Sequence, residues 1–413
     1  MSHHGLTPGA VVVEAIEPEL AFSEEEYRGR IARVRESMAQ QGIDLLWVTT
    51  PDAVCWLHGF FASWYKANSP MRYPQCYGTA IHVASDHFLH FDNPTEIPLL
   101  ARTSISTENR WLPSREAEPN LAFITRELRA QGWLGGRVGM EFWSYLPNPA
   151  VSRMFEGAFR ATGCDVVDAS ALLRRARRVK SPQELAYIEE AVRICDIGHE
   201  TLRGSLRPGM TELDLFGEVT HAMMAAGGEF PALIPIFNSR VVVDGQPVSS
   251  GHSMAGRKQI RAGELLAADL CGVFHRYHGN VLRGYFVGEP PRELVDRYQR
   301  AAGVFDVIRS DVKAGMTVAQ VNERLTQYYK EAGLWGSDGW ALGYELGLSL
   351  PPDWVGEFYF NLLDDRYTDR VFEENMVGNF ESLFDTALID TLIYGRSGTR
   401  VLSRTPLELI AVG

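Results

Sequence analysis

Two stretches of the chain share one phrase: RPGMTELDLFGEVTHAMMAAGG (207–228) and KAGMTVAQVNERLTQYYKEAGL (313–334). Each opens with Gly-Met-Thr, and Thr211 and Thr317 stand where a hydroxyl caps the helix that follows. Each is preceded by a long helical segment and ends in Ala-Gly. Two matched helix pairs predict a pseudo-symmetric α+β unit with an internal repeat; two unrelated helices with similar caps are the alternative. Strands are expected at 265–277 and 279–288 after the first copy, and between Trp340 and Val401 after the second. The last of these read as a hairpin around Ser397-Gly398.

Working outward, KSPQEL (180–185) marks the start of this unit. Ser181 suits the N-cap, Pro182 the first helical position and Glu184 the third, so a long helix is expected to about Leu206. The expected domains are residues 1–178 and 179–413. In the first, Ser23 and Glu26 are placed for a capping box, Tyr27, Ile31, Val34 and Met38 form one apolar stripe, and Gly42 suits the C-terminal stop. Strands at 43–50, 77–84, 87–92, 136–141 and 164–168 alternate with helices near 120–131 and 148–159, which predicts an α/β domain.

Composition bounds the function. The chain has 413 residues, 45% of them apolar, and a formal charge of -12. That is enough apolar content for two cores and excludes a disordered chain. The densest basic group, Arg174, Arg175, Arg177, Arg178 and Lys180, scatters around a helix axis, so no nucleic-acid partner is expected. No run approaches the roughly 20 apolar residues of a membrane span. The first residues lack a basic leader, and Glu14, Glu17 and Glu19 break their apolar run, so a cytoplasmic protein is expected. Cys55, Cys76, Cys164, Cys195 and Cys271 are odd in number and dispersed, which predicts buried free thiols.

The chemistry concentrates in the second domain. Asp269 lies within LLAADLCGVF, Glu381 within NMVGNFESLF and Asp390 within TALIDTLIYG. A carboxylate in an apolar strand is costly unless paired or used. His252 lies in the Gly-flanked loop SSGHSMAGRKQI. Taken singly, each carboxylate reads better as a strand-end group facing solvent; several in one domain suggest a converging polar site.

With KSPQEL, the repeated Gly-Met-Thr helices and the two carboxylate strands, the chain resembles the creatinase/aminopeptidase P superfamily, whose catalytic domain has the pita-bread fold. The strings RKQIRAGELLAADLCGVFHRYHGNVLRGYFVG (257–288) and GLSLPPDWVGE (347–357) carry most of the likeness, the second resembling the metal-independent ectoine hydrolases. The resemblance implies an α/β creatinase-like N-terminal domain, a pita-bread C-terminal domain and a homodimer. Peptidases of the superfamily hold two metal ions with two Asp, one His and two Glu. Those positions fall on Asp269, Asn280, Tyr344, Glu381 and Ile389. A neutral amide bridges metals poorly, so no catalytic metal and no cofactor are expected. The residual possibility is one ion held by Asp269, Glu381 and Asp390.

In creatinase the catalytic His precedes the first Asp position by the interval that separates His252 from Asp269, and its Glu matches Glu381 in MVGNFE. Its second active-site Glu falls on Leu282. In ectoine hydrolase the nucleophilic Glu falls on Asp269, and an Arg-Tyr-His matches Arg276, Tyr277 and His278. The resemblance therefore implies metal-independent hydrolysis of a C–N bond in a small polar or zwitterionic molecule, a cyclic amidine or a guanidino compound. Asp269 is the expected nucleophile or base, His252 the proton shuttle, and Glu381 the acid or cation-binding group. A metal-dependent Xaa-Pro peptidase is the first alternative; a non-catalytic binding protein and a lyase are the others. Expected substrate contacts are Tyr277 or His278, only one of which can face the site, with Tyr344, Asp353 and Trp354. In WLHGFFASWYKANSPMRYPQCY (56–77), Trp64, Tyr65, Arg72 and Tyr73 are expected to close the pocket of a partner subunit.

Overall fold

The computed structural model describes residues 16–63, 74–243, 246–247, 251–336 and 339–413. The chain divides into two compact units between Ala176 and Arg177; the expected boundary at 178 lies just beyond.

The first unit runs α1 (Glu24–Gln41), β1 (Leu45–Val48), α2 (Pro51–His58), β2 (Gly78–His82), β3 (Phe88–Asp92), α3 (Ile97–Thr103) and β4 (Asn109–Trp111). It continues with α4 (Ala117–Ala130), β5 (Arg137–Met140), α5 (Pro149–Ala161), β6 (Asp165–Asp168) and α6 (Ser170–Ala176). Its six strands order as β4-β3-β2-β1-β5-β6. Trp47 of β1 centres the core, 5.0 Å from Phe155 and 5.6 Å from Phe91 between ring centres. Ser23 caps α1 by accepting from the Glu26 N–H, and Gly42 ends it at φ 65°. The reciprocal half of the expected capping box is replaced: the Glu26 carboxylate takes two hydrogen bonds from the buried Arg30.

The second unit contains α7 (Pro182–Ser205), α8 (Glu212–Ala225), β7 (Phe237–Val243), β8 (Gln246–Pro247), β9 (Glu264–Phe274) and β10 (Tyr277–Val287). Then come α9 (Arg292–Ala302), α10 (Val304–Asp311), α11 (Val318–Glu331), β11 (Trp340–Tyr344) and β12 (Tyr359–Asn361). β13 (Val377–Leu383), β14 (Leu388–Gly395), β15 (Gly398–Val401) and β16 (Ile410–Val412) complete it. One sheet orders these strands β12-β11-β13-β14-β10-β9-β7-β8, with β15 beside β14 and β16 beside β10.

The repeated phrase is a repeated structure. Thr211 and Thr317 close full capping boxes, with Asp214 and Gln320 respectively. The backbone bonds around them match one for one. Gly209 N–H donates to Ile260 as Gly315 does to Phe372, and Glu212 donates to Lys258 as Val318 does to Arg370. Leu213 donates to Gly256 as Ala319 does to Thr368. This is the pseudo-symmetric α+β unit that the two phrases predict, and the pita-bread domain that the resemblance implies.

α7 lies directly on the β9-β10 hairpin because Gly272 and Gly279 pair opposite each other beneath it. A Cβ on Gly272 would stand 1.9 Å from the Ala191 carbonyl oxygen, and one on Gly279 would stand 2.8 Å from the Val192 nitrogen. The hairpin turns at His275 and Arg276, both at positive φ, so β10 starts at Tyr277 and takes in His278, where the sequence suggested a break. Among the described residues no helix is long and apolar enough to cross a membrane.

Candidate active site

Strand register decides which side chains meet. Asp269 of β9 lies opposite Leu282 of β10, Leu282 opposite Ile389 of β14, and Ile389 opposite Glu381 of β13. Directly paired residues share a face, so one row across four strands carries a carboxylate at each end and two aliphatic residues between. Alternation adds Asn280 and His278 from β10 and Asn379 from β13 to that face.

Amides join the carboxylates. Asn280 Nδ2 donates to Asp269 Oδ1 at 2.5 Å, and Asn280 Oδ1 accepts from Asn379 Nδ2 at 3.0 Å. The same Asn379 nitrogen donates to Glu381 Oε1 at 3.1 Å, while its Oδ1 accepts from the Tyr344 backbone N–H at 3.0 Å. Asn280 is fixed further by its backbone N–H, which donates to Thr391 Oγ1, and by its carbonyl, which accepts from that hydroxyl. The chain Asp269–Asn280–Asn379–Glu381 thus ties three strands together by side chains alone.

Neither carboxylate has a counter-ion in this network. Burial pushes Asp269 up to about 7, with the Asn280 hydrogen bond pulling against it. Burial also raises Glu381 to about 7, helped by the charge of Asp269 and opposed by hydrogen bonds from Asn379 and Tyr344. Both acids therefore keep their protons to higher pH than an ordinary carboxyl does. Burial and both carboxylate charges hold the Tyr344 phenol well above its ordinary value, so it remains an O–H donor.

The other expected site residues divide. His278 is fully buried on the site face, whereas Tyr277 points to the helix side and donates to Glu184 at 2.7 Å. Tyr277 is therefore a structural residue. Asp353 serves the turn: its Oδ1 accepts from the Trp354 N–H, and Trp354 is buried edge-on to His278. His252 is exposed in its loop. The carbonyl of the next residue, Ser253, accepts from the Phe237 N–H of β7, the strand that pairs with β9 beside Asp269. Asp390 turns to the opposite face, one position out of register with Glu381, and pairs with Arg283 at 2.6 Å. Trp64, Tyr65, Arg72 and Tyr73 lie outside the described residues. The sequence reading missed Asn379, whose side chain links the two halves of the site; its position two residues before Glu381 was the available signal.

Residues 186–399 match metallopeptidase family M24, and residues 30–179 match the creatinase/prolidase N-terminal domain. The chain belongs to metallopeptidase family M24. It is 26% identical to an ectoine hydrolase of Halomonas elongata, over 95% of this chain and 99% of that one. It is 23% identical to a Xaa-Pro dipeptidase of Pyrococcus horikoshii, over 58% of this chain and 66% of that one. The X-Pro aminopeptidase structure from Thermotoga maritima superposes with a TM-score of 0.74 at 16% identity, covering 92% of this chain and 99% of that chain. The protein is an M24-family hydrolase with the creatinase-like two-domain fold.

The family name implies metal, and the donor set can be tested against it. Of the five ligand positions, two are carboxylates, one is an amide engaged at both ends, one is a protonated phenol and one is Ile389. Asp390 is spent on Arg283. Among the described residues no group of three or more His, Cys, Asp or Glu side chains is placed to hold an ion. These residues do not fit a dinuclear metal site, which needs bridging anions and several anchoring ligands.

Proposed function

We propose that the protein is a metal-independent C–N hydrolase acting on a small zwitterion that carries an amidine or guanidine. The amide-bridged pair Asp269 and Glu381, standing where the family places metal ligands, carries this reading. The full-length similarity to an ectoine hydrolase supports it.

The reaction needs one acid of the pair ionised and the other protonated. Asp269, its carboxylate oriented by Asn280, accepts a proton from water as the oxygen attacks the amidine carbon, or attacks that carbon itself. Glu381 in its acid form delivers a proton to the departing nitrogen as the C–N bond breaks. In the water-attack route the pair begins and ends with the same number of protons, so none needs to be imported during the step. Before attack, the remaining negative charge complements the cationic amidinium. The Tyr344 O–H offers a neutral donor beside Glu381. The two neutral amides orient the acids without the full charge that would lower both values.

The test is turnover of a carboxylated cyclic amidine, a guanidino acid and a Xaa-Pro dipeptide, each before and after exhaustive chelation. C–N opening that survives chelation and is lost in Asp269→Asn is the expected result. The Xaa-Pro dipeptidase relatives favour a second reading: dipeptide cleavage that disappears on chelation and returns with a divalent ion would replace the first.

A further inference from the structure

β11 is closed on one face and open on the other. Ala341 and Gly343 are buried, whereas Trp340, Leu342 and Tyr344 are not, and Trp340 is 46% exposed. The same alternation continues in Tyr359 and Asn361 of β12 and in Glu381 and Leu383 of β13. β9, β10 and β14 are instead buried on both faces along nearly their whole length.

Register shows that the open face is the site face. Leu342 pairs with Glu381 on one side and Asn361 on the other, Trp340 pairs with Leu383, and Tyr344 pairs with Tyr359. Paired residues share a face, as do residues two apart on one strand. The row that begins at Asp269 therefore runs past Glu381 into Leu342 and Asn361, and it becomes accessible there. Trp340 and Tyr344 are the diagonal neighbours of Glu381 on β11, about 7–8 Å away and within reach of an aromatic side chain. The Tyr344 phenol hydrogen-bonds Glu381. Among the described residues no ring or cation packs on the Trp340 indole.

A lone exposed apolar side chain needs no explanation. This one stands with the half-buried Leu342 and Leu383 around Glu381, the one residue of β11, β12 and β13 with a formal charge. That carboxylate has no counter-ion and lies in a rim of apolar and aromatic groups.

We infer that Trp340 is a specificity residue of this site, its indole covering the face of a planar cation, an amidinium or guanidinium, whose edge is hydrogen-bonded by Glu381. The inference rests on the proposed C–N hydrolysis for the identity of that cation as substrate, and on register and exposure for its position. Glu381 and Trp340 rise from adjacent strands onto one face, so a ligand between them touches both. A carboxylate bonds the N–H groups in the plane of such a cation and leaves its faces free. A free face then meets the negative face of an indole. An ammonium is compact and strongly hydrated, so it gains less from the ring. A neutral amide brings no charge to either group, and an anion is repelled by Glu381.

The test uses the full chain labelled with ¹⁵N at its indoles, with the Trp340 signal assigned by its absence in Trp340→Phe. Acetamidinium is the probe, and acetamide is its neutral counterpart of the same shape. The expected result is a saturable shift of the Trp340 N–H with acetamidinium and none with acetamide. By calorimetry Trp340→Leu should weaken acetamidinium about tenfold, and Trp340→Phe, which keeps an aromatic face, by about threefold or less. Because Trp340 is half exposed, both variants should keep the circular dichroism spectrum of the unmodified protein. A Trp340 signal unmoved by saturating acetamidinium, an equal shift with acetamide, or full affinity in Trp340→Leu overturns the inference. Turnover of a carboxylated cyclic amidine is followed on the same preparations. Its absence from the unmodified protein would defeat the C–N reading while the acetamidinium result still decides the role of Trp340. Turnover with an unchanged KM in Trp340→Leu would keep the C–N reading and overturn Trp340.

Discussion

Two buried carboxylates on neighbouring strand positions meet opposite fates. Asp390 lies opposite Phe380, one place from the row that holds Glu381, and that single step sends it to the other face of the sheet. There it meets Arg283, both side chains at 0% exposure. The guanidinium also donates to the carbonyls of Leu282, Ile389, Thr405 and Pro406. Burial raises the Asp390 value too, with Arg283 pulling it down. On the other face Asp269 and Glu381 are linked by amides, and their values rise to about 7. A charge-paired face stores its carboxylate as structure. An amide-bridged face keeps its protons exchangeable, which is what acid–base chemistry requires.

The comparison can be broken most sharply at Asp269. Asp269→Asn keeps the acceptor for Asn280 and removes the proposed nucleophile or base, so turnover should fall on the order of 10³-fold or more. Steady-state rates measured beside a circular dichroism spectrum check it; a loss under tenfold would take Asp269 out of the reaction. On the opposite face, Arg283→Met should cost about 3–5 kcal/mol in urea denaturation, because it strands a buried carboxylate. Pairing it with Asp390→Leu should recover most of that loss. Turnover per folded molecule should stay near the unmodified level in the double variant, since neither residue reaches the site face.

The pH dependence of stability sharpens the contrast. A carboxyl raised in the folded state binds its proton more tightly folded than unfolded. Stability then falls as pH climbs from the ordinary carboxylate value toward about 7, and levels above it. Glu381→Gln removes one such group. The variant should match the unmodified protein near pH 4 and exceed it by about 2–3 kcal/mol at pH 8. Denaturation midpoints across that range are the measurement, and parallel curves for the two proteins would show that Glu381 is not raised.

Local signals made the frame readable before the structure. KSPQEL forms the full box at Ser181 and Glu184, and the Gly-Met-Thr phrases form matched caps, because capping involves residues only three apart. The site was legible only in part. Asp269 and Glu381 stood out as acids in apolar strands, but their face depends on register across four strands, which no local pattern states. Asn379 and the buried Lys180–Glu345 pair, 2.7 Å apart, needed the same non-local knowledge. The spacing of His252 from Asp269 gave no sign that its loop is tied to β7, the neighbour of β9. α2 was missed because its buried run from Ala53 to His58 has no polar face to give it a period.

Tyr277 and His278 reproduce the two-face comparison within a dipeptide, at the smallest expected scale. Tyr277 is fully buried toward α7 and its hydroxyl donates to Glu184 Oε1, while the other oxygen of Glu184 accepts from the Ser181 N–H in the cap. Tyr277→Phe removes one hydrogen bond to that carboxylate and keeps the ring that fills the space. It should cost about 1.5 kcal/mol of stability and leave kcat and KM unchanged. His278→Gln, on the face that carries Asn280, should do the reverse, raising KM more than it lowers the urea midpoint. If Tyr277→Phe raised KM and His278→Gln only loosened the fold, the face assignment at the start of β10 would be inverted.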